Sequence, residues 1–405
     1  MKASALARRA RCTLAALLGL AFAALLAACS STEPQSFEKA AADATDNLVA
    51  QTRKLPSFLA RIESTLSAPD ANTPRRSIVL DPMLDMITGQ QTETTLLFER
   101  RVTQRMAAKF PQFEFLPFQA ANLTKAQYLL TGTMTRVTTE ARSTVRLSLA
   151  LTDIRSGMVV AQASALARAE NLDATPSRYY KDSPVLIKDK VVEGYARTTA
   201  TPAGQHADPY YMERIGVGTV ISEATTLYNA ERYQDALGQY QTALATPQGQ
   251  QLRAESGLYL TSIKLGHVAE AEQSFGRIVA LGIAYNELGV KFLFDPGSVE
   301  FWSDPKISGA YQMWLRQIAG GTVAAGSCMT IVGHTSKSGP AAINDALSLK
   351  RAATIRQRLT DEQPVLTTKI KAEGMGFRQN IVGSGTDNGF DVLDRRVEFK
   401  IAPCR

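Results

Sequence analysis

Apolar residues recur along this chain with changing periods, and the changes mark its organisation. Over residues 37–66, Leu48, Leu55, Phe58, Leu59, Ile62 and Leu66 fall at helical spacing, with Pro56 as a break. Residues 76–81 read as a strand and 93–109 as a helix with Leu97, Phe98, Val102 and Met106 on one face. Strands follow at 113–118 and from Tyr128. Residues 145–151 alternate cleanly, and 158–163 close a hairpin across Arg155-Ser-Gly157. This β-α-β-β-β-β order predicts a small α+β sheet domain. Residues 171–205 show no clear period and read as a linker packed across that domain.

From about residue 213 to 288 the pattern is helical and repeats. Ala236 and Tyr240 stand in the same frame as Ala271 and Phe275, and Ala236 to Ala271 is 35 residues. That is close to the roughly 34-residue period of tetratricopeptide hairpins, which this stretch resembles. Two such units are few for a self-sufficient core. The region reads either as a helical spacer or as a surface for a protein partner. After it, strand and helix alternate: 290–294 strand, 308–319 helix, 327–332 strand and 341–359 helix, with 365–372 and Gly376 leading to a final strand at 394–401.

The amino terminus changes the picture of location. Lys2, Arg8, Arg9 and Arg11 precede an Ala/Leu-rich run, 14–26, shorter than the ~20 residues a transmembrane helix needs. The run ends Leu26-Ala27-Ala28-Cys29, which resembles a bacterial lipobox. The resemblance implies a lipoprotein signal at 1–28 and acylation of Cys29, a multi-chain anchor that holds stably to a membrane. Ser30, rather than Asp, follows Cys29 and favours the outer membrane, with the chain facing the periplasm. The formal charge is +7, and without the four signal cations it is about +3 (7 − 4), which leaves no footprint for nucleic acid. Cys12 departs with the signal, leaving Cys328 and Cys404. In an oxidising periplasm these two are expected to pair, unless their Cα atoms lie beyond ~7 Å.

The densest chemistry is Gly333-His-Thr-Ser-Lys-Ser-Gly-Pro340, followed by Asn344, Leu347, Ser348, Arg351, Ala352, Ile355 and Leu359. Asn344 and Arg351 lie two helical turns apart, so they share a face. This run resembles the NxxLSxxRAxxVxxxL signature of OmpA-like peptidoglycan-binding domains. Asp394-Arg395-Arg396-Val397-Glu398 is similar to the family's second motif, and the likeness covers about residues 286–402. It implies an α/β sandwich that binds the diaminopimelate of a peptidoglycan stem peptide, with no cofactor. Arg351 would clamp a carboxylate with its planar fork. Thr335, Ser336, Asn344 and Arg395 complete the implied wall-binding set. The family places Asp where Ser336 stands, to take the ligand's ammonium. A serine offers only a neutral acceptor there, which weakens binding or changes the preferred stem peptide. Each residue also has a structural alternative. Asn344 could brace the loop; Arg351 could pair with Asp345, Asp394 or Glu398; one of Arg395 and Arg396 could be a solvated face.

The first domain's element order, with Tyr128-Leu-Leu-Thr-Gly132, resembles the amino-terminal domains of TolB and of FlgO- and CsgG-like envelope lipoproteins. The expected division is 1–28 signal; 29–71 anchor, spacer and helix; 72–205 α+β domain with trailing linker; 206–288 tetratricopeptide-like helices; and 289–405 OmpA-like domain. Three scattered histidines and no acid pair with ligand spacing argue against an enzyme and against a metal site. In the polar loop 383–389, Asp387 reads as part of a solvated turn. Three readings remain. The first is a tether from outer membrane to peptidoglycan. The second, compatible with it, is an assembly or secretion-accessory scaffold whose first domain and helices hold an envelope protein. The third is a wall-modifying hydrolase, for which no acid/base pair or metal site presents itself in the sequence.

Overall fold

The computed structural model describes residues 33–52, 75–139, 142–286, 288–381 and 394–404. The signal, Cys29, Pro56 with the second half of the first predicted helix, and the 383–389 loop lie outside the described residues.

Helix α1 (Phe37–Thr52) leads into a first sheet of β1 (Arg76–Leu80), β2 (Leu84–Asp85), β3 (Phe113–Leu116), β4 (Tyr128–Thr139), β5 (Arg142–Asp153) and β6 (Val159–Arg168). The strand order is β3-β1-β4-β5-β6, with β2 beside β4. β1 runs parallel to β3 and β4, whereas β4, β5 and β6 are antiparallel neighbours. Helix α2 (Glu93–Lys109) makes the crossover between β1 and β3. It starts at a capping box, in which Thr92 and Thr95 satisfy each other's backbone N–H groups. Phe98, Val102 and Met106 of α2 pack with Leu48 of α1 over Ile78, Leu130 and Leu147 on one sheet face.

The opposite face is covered by a helix where a linker was expected. Helix α3 (Lys190–Ala200) starts at Asp189, whose Oδ1 accepts from the Val191 and Val192 amides. Val191, Val192 and Tyr195 are buried against the sheet, and the Tyr195 hydroxyl bonds both the amide and the carbonyl of Gly132, at 2.9 and 2.8 Å. The buried face also carries Gly194, Thr198 and Thr199. Small and hydroxylated residues on the inner side hide the apolar period, because threonine hydroxyls can bond back to the helix's own carbonyls, as Thr199 does to Tyr195.

Four helices follow: α4 (Ile215–Asn229), α5 (Tyr233–Leu244), α6 (Leu252–Leu265) and α7 (Val268–Tyr285), each packed on the next as two hairpins. Ala236 and Ala271 are fully buried, as are Tyr240 and Phe275. Their small side chains admit the neighbouring helix. The Tyr240 ring fills space that a Cβ on Gly257 would enter, at 2.1 Å.

The C-terminal sheet has order β7-β10-β8-β9, from β7 (Leu288–Val290), β8 (Cys328–Gly333), β9 (Ile370–Gly374) and β10 (Val397–Ala402). β10 runs antiparallel to β7 and β8, and β8 parallel to β9. Helices α8 (Tyr311–Ala324) and α9 (Ala341–Glu362) complete the layer above it. The strand expected at 290–294 stops at Val290. Phe292 and Phe294 leave the sheet to join Phe301, Tyr311 and Trp314 in an aromatic cluster. Phe294 bridges Phe301 instead of a sheet strand, so their alternation reflects ring burial rather than a place in the sheet. Cys328 and Cys404 form a disulfide with Cα atoms 4.9 Å apart.

The three parts share one core. Segment 184–186 pairs with the outer edge of β7, with Leu186 N to Gly289 O at 2.9 Å and Lys291 N to Pro184 O at 2.9 Å. Lys291 Nζ donates to Tyr180 O at 2.7 Å, and burial pushes its pKa down to about 8. On the other side, Trp314 of α8 donates to Tyr259 Oη at 2.8 Å and stacks on Phe275 of α7.

Candidate ligand-binding face of the C-terminal domain

Along α9, Asn344, Ser348, Arg351, Ala352, Ile355 and Leu359 form the buried face. The small residues in that row have a steric cause. A Cβ on Gly333 of β8 would lie 2.1 Å from the Ser348 carbonyl oxygen, and one on Gly374 of β9 would lie 2.5 Å from the Leu349 amide nitrogen. Helix backbone and strand backbone touch here, and only glycine in the strand with serine and alanine in the helix permits it. The contact is sealed by Ser348 Oγ, which accepts from the Gly376 amide at 2.9 Å. The Gly376 carbonyl in turn accepts from the Thr335 amide at 2.9 Å.

Arg351 is the centre of this face. It is 5% exposed, with Nε donating to Ser298 O at 3.0 Å and Nη2 to Asp295 O at 3.1 Å. Its guanidinium lies over the Phe294 ring, 4.9 Å from the centroid. Each acid that sequence offered as its partner is engaged elsewhere. Asp345 takes Arg378 at 2.6 Å, Glu398 takes Arg396, and Asp394 accepts from the Ile381 amide at 2.6 Å. Among the described residues no carboxylate forms an ion pair with Arg351. Burial, with the nearby charge of Arg395, pushes its pKa down to about 10. A buried cation is costly unless its donors are met, and here two main-chain carbonyls and the Phe294 ring face meet part of that cost.

Thr335 is buried, and its Oγ1 has no hydrogen-bond partner among the described residues. Ser336 is also buried, with its Oγ 3.1 Å from Ser338 Oγ. Asn344 braces the turn: its Nδ2 donates to Ser338 O at 2.8 Å and Pro340 O at 3.2 Å. Neither arginine of the second motif is a solvated face. Arg395 is half-buried, while Arg396 is buried and donates from Nε to Glu398 Oε1 at 2.7 Å and from Nη2 to Gln379 O at 3.0 Å.

Beneath the turn lies a network that sequence reasoning did not single out. The His334 side chain is wholly buried, with Nε2 3.4 Å from Glu398 Oε2. Burial lowers the His334 pKa, so the ring is neutral at pH 7. Burial alone would raise Glu398, but His334 and Arg396 together hold it at about 2. The clasp of Arg378 on both oxygens of Asp345, at 2.6 and 2.7 Å, was likewise missed. Only the closeness of Asp345 to Asn344 hinted at it. Among the described residues no cluster of histidine, cysteine and acid side chains could hold a metal ion, and the polar groups of this face can bind and orient but offer no nucleophile with its base.

Residues 293–391 match the family model described as OmpA family. The outer membrane protein Omp38 of Acinetobacter baumannii is 33% identical over 75 residues, which are 18% of this chain and 21% of that protein. The chain thus spans about a fifth of the length of the curated relatives it matches. Among solved structures, the peptidoglycan-associated lipoprotein of Burkholderia pseudomallei is 24% identical, covering 27% of this chain and 88% of that one, with a TM-score of 0.24. The periplasmic domain of Helicobacter pylori MotB is 14% identical, covering 29% and 76%, also with a TM-score of 0.24. A glycine-backed helix carrying the signature, with Ile355 at its valine position, on a strand-helix frame that the family model covers, makes residues 293–391 of this chain an OmpA-family domain.

Proposed function

We propose that this chain is an outer-membrane lipoprotein, anchored through acylated Cys29, whose C-terminal domain grips peptidoglycan noncovalently. The observation that carries the reading is Arg351, a buried guanidinium held by two carbonyls and without a carboxylate partner among the described residues. A stem peptide ending its diaminopimelate side chain in a carboxylate supplies the missing anion. Thr335 Oγ1, the unpartnered hydroxyl on the loop tied to α9, takes a ligand N–H or C=O. The neutral Ser336 replaces the charged group that the family resemblance implies, so the ammonium end of the ligand is held weakly. Arg395, adding positive charge beside Arg351, strengthens the pull on a carboxylate. Asn344 acts by holding the turn in shape. The OmpA-family match over residues 293–391 supports the ligand class.

The test is co-sedimentation of residues 30–405 with isolated sacculi, beside Arg351→Ala and Ser336→Asp. The wild type is expected to pellet, Arg351→Ala to stay soluble, and Ser336→Asp to pellet more completely. A soluble wild type overturns the wall reading. For the anchor, labelled palmitate should enter the full chain and not Cys29→Ala; no incorporation removes the lipoprotein assignment.

A second reading is a scaffold in which the first domain and the tetratricopeptide-like hairpins hold an envelope protein. What favours it is a groove of about 490 Å³ between α5, α6 and α7, with apolar walls and a charged floor.

A further inference from the structure

The groove between α5, α6 and α7 is walled by Leu244, Leu258 and Leu281, and its floor is formed by Glu255 and Arg277. Glu255 is 4% exposed, on the buried side of α6. Its Oε1 accepts from Arg277 Nε at 2.7 Å, and Oε2 has no partner among the described residues. Burial raises the pKa of this carboxyl in spite of the arginine. Such a buried acid weakens the hairpin relative to an apolar residue of the same size. What it accomplishes is to aim Arg277. The guanidinium is fixed from below by Glu255 and by Ser274 Oγ, at 3.0 Å from Nη2, while the side chain stays 47% exposed. A guanidinium carries five N–H donors in a planar fork, and only those toward Glu255 and Ser274 are engaged inward. The result is a pre-oriented cation beside three leucines.

We propose that this groove is a second binding site, which takes the carboxyl-terminal end of a polypeptide whose last residue is apolar. In such a residue the carboxylate and the apolar side chain leave the same carbon, which matches a donor fork placed directly against leucine walls. The Glu255 charge under the fork disfavours segments carrying several carboxylates, so the match is to a single terminal one. This site rests on the scaffold reading and is independent of wall binding.

The test uses residues 30–405 and a fluorescein-labelled Gly-Gly-Leu-Leu peptide with a free carboxyl terminus, beside its carboxamide, followed by fluorescence anisotropy. The acid is expected to bind about tenfold or more tightly than the amide, the usual worth of a charge-assisted contact. Arg277→Gln should bring the acid down to the amide, while Arg277→Lys recovers part of the difference. Sacculus binding should be unchanged in Arg277→Gln, which separates failure here from failure of the wall reading. Arg277→Gln leaves the buried Glu255 without its cation and should lower the melting temperature, so acid and amide are compared well below the melting range of each variant, where all remain folded. Equal binding of acid and amide, no binding of either, or a difference that survives Arg277→Gln overturns the proposal. Octanoate displacing the peptide at the peptide's own affinity would assign the groove to a small apolar anion instead, and also overturns it.

Discussion

At the scale of single residues, the C-terminal face separates groups that hold the fold from groups left ready for a ligand. Thr335 belongs to the second kind. Its buried hydroxyl has no partner among the described residues, so Thr335→Val should leave the melting temperature unchanged or raise stability by about 1 kcal/mol. The same variant should pellet less well with sacculi. A loss of stability with full binding would show the hydroxyl to be structural. Gly333 belongs to the first kind. Because a Cβ there would stand 2.1 Å from the Ser348 carbonyl oxygen, Gly333→Ala should cost about 1–3 kcal/mol or more, read from urea denaturation. Asp81, at the end of β1, is buried and accepts from the Tyr211 hydroxyl at 2.5 Å. Burial outweighs the favourable charge of Arg253 and raises its pKa from 3.8 to about 6. The folded chain therefore holds this proton more tightly than the unfolded chain does. Its stabilising effect is complete below about pH 4 and is lost as pH rises through 6, amounting to about 3 kcal/mol by pH 7. Asp81→Asn should lack that decline, so its melting temperature should gain on the wild type steadily from pH 4 to pH 7. A constant difference across that range would contradict the assignment.

At the scale of elements, legibility followed how each element hides or shows its buried side. Helix α2 was readable to its ends, because Thr92 caps it and Phe98, Val102 and Met106 recur at helical spacing. Helix α9 was readable because its close contact with β8 and β9 demands a particular sequence of small residues. Helix α3 was not, since Gly194, Thr198 and Thr199 share its buried face. The acceptors of Arg351 were beyond reach for a different reason. They are main-chain carbonyls 53 and 56 residues away, and every residue type carries one. Side-chain pairing rules therefore pointed to Asp345, Asp394 and Glu398, none of which the arginine meets. The disulfide fastens the start of β8 to the segment just past β10, closing a separation of 76 residues. Its removal in Cys404→Ala should cost about 2–4 kcal/mol. An unchanged denaturation midpoint after reduction would show that the strand pairing alone secures this end.

At the scale of the whole molecule, the wall-binding candidate is built into its neighbours rather than strung from them. Segment 184–186 extends its sheet, and Trp314 is wedged against Tyr259 and Phe275. A fragment of residues 288–405 should accordingly melt at least about 10 °C below the full chain, with red-shifted tryptophan emission. A fragment as stable as the parent would show the joint to be superficial. The other end is fixed as firmly. Gln35 lies along β6, its amide bonded to Leu166 O at 3.0 Å and its carbonyl accepting from the Arg168 amide at 2.8 Å. From an acylated Cys29 to that point the chain can reach at most about 20 Å. With its parts packed on one another and at most that length of chain between lipid and fold, an anchored molecule would behave as a gauge block and not as a leash. It would engage the wall only where the wall stands at one set height above the bilayer, and would thereby report, or impose, the width of that gap.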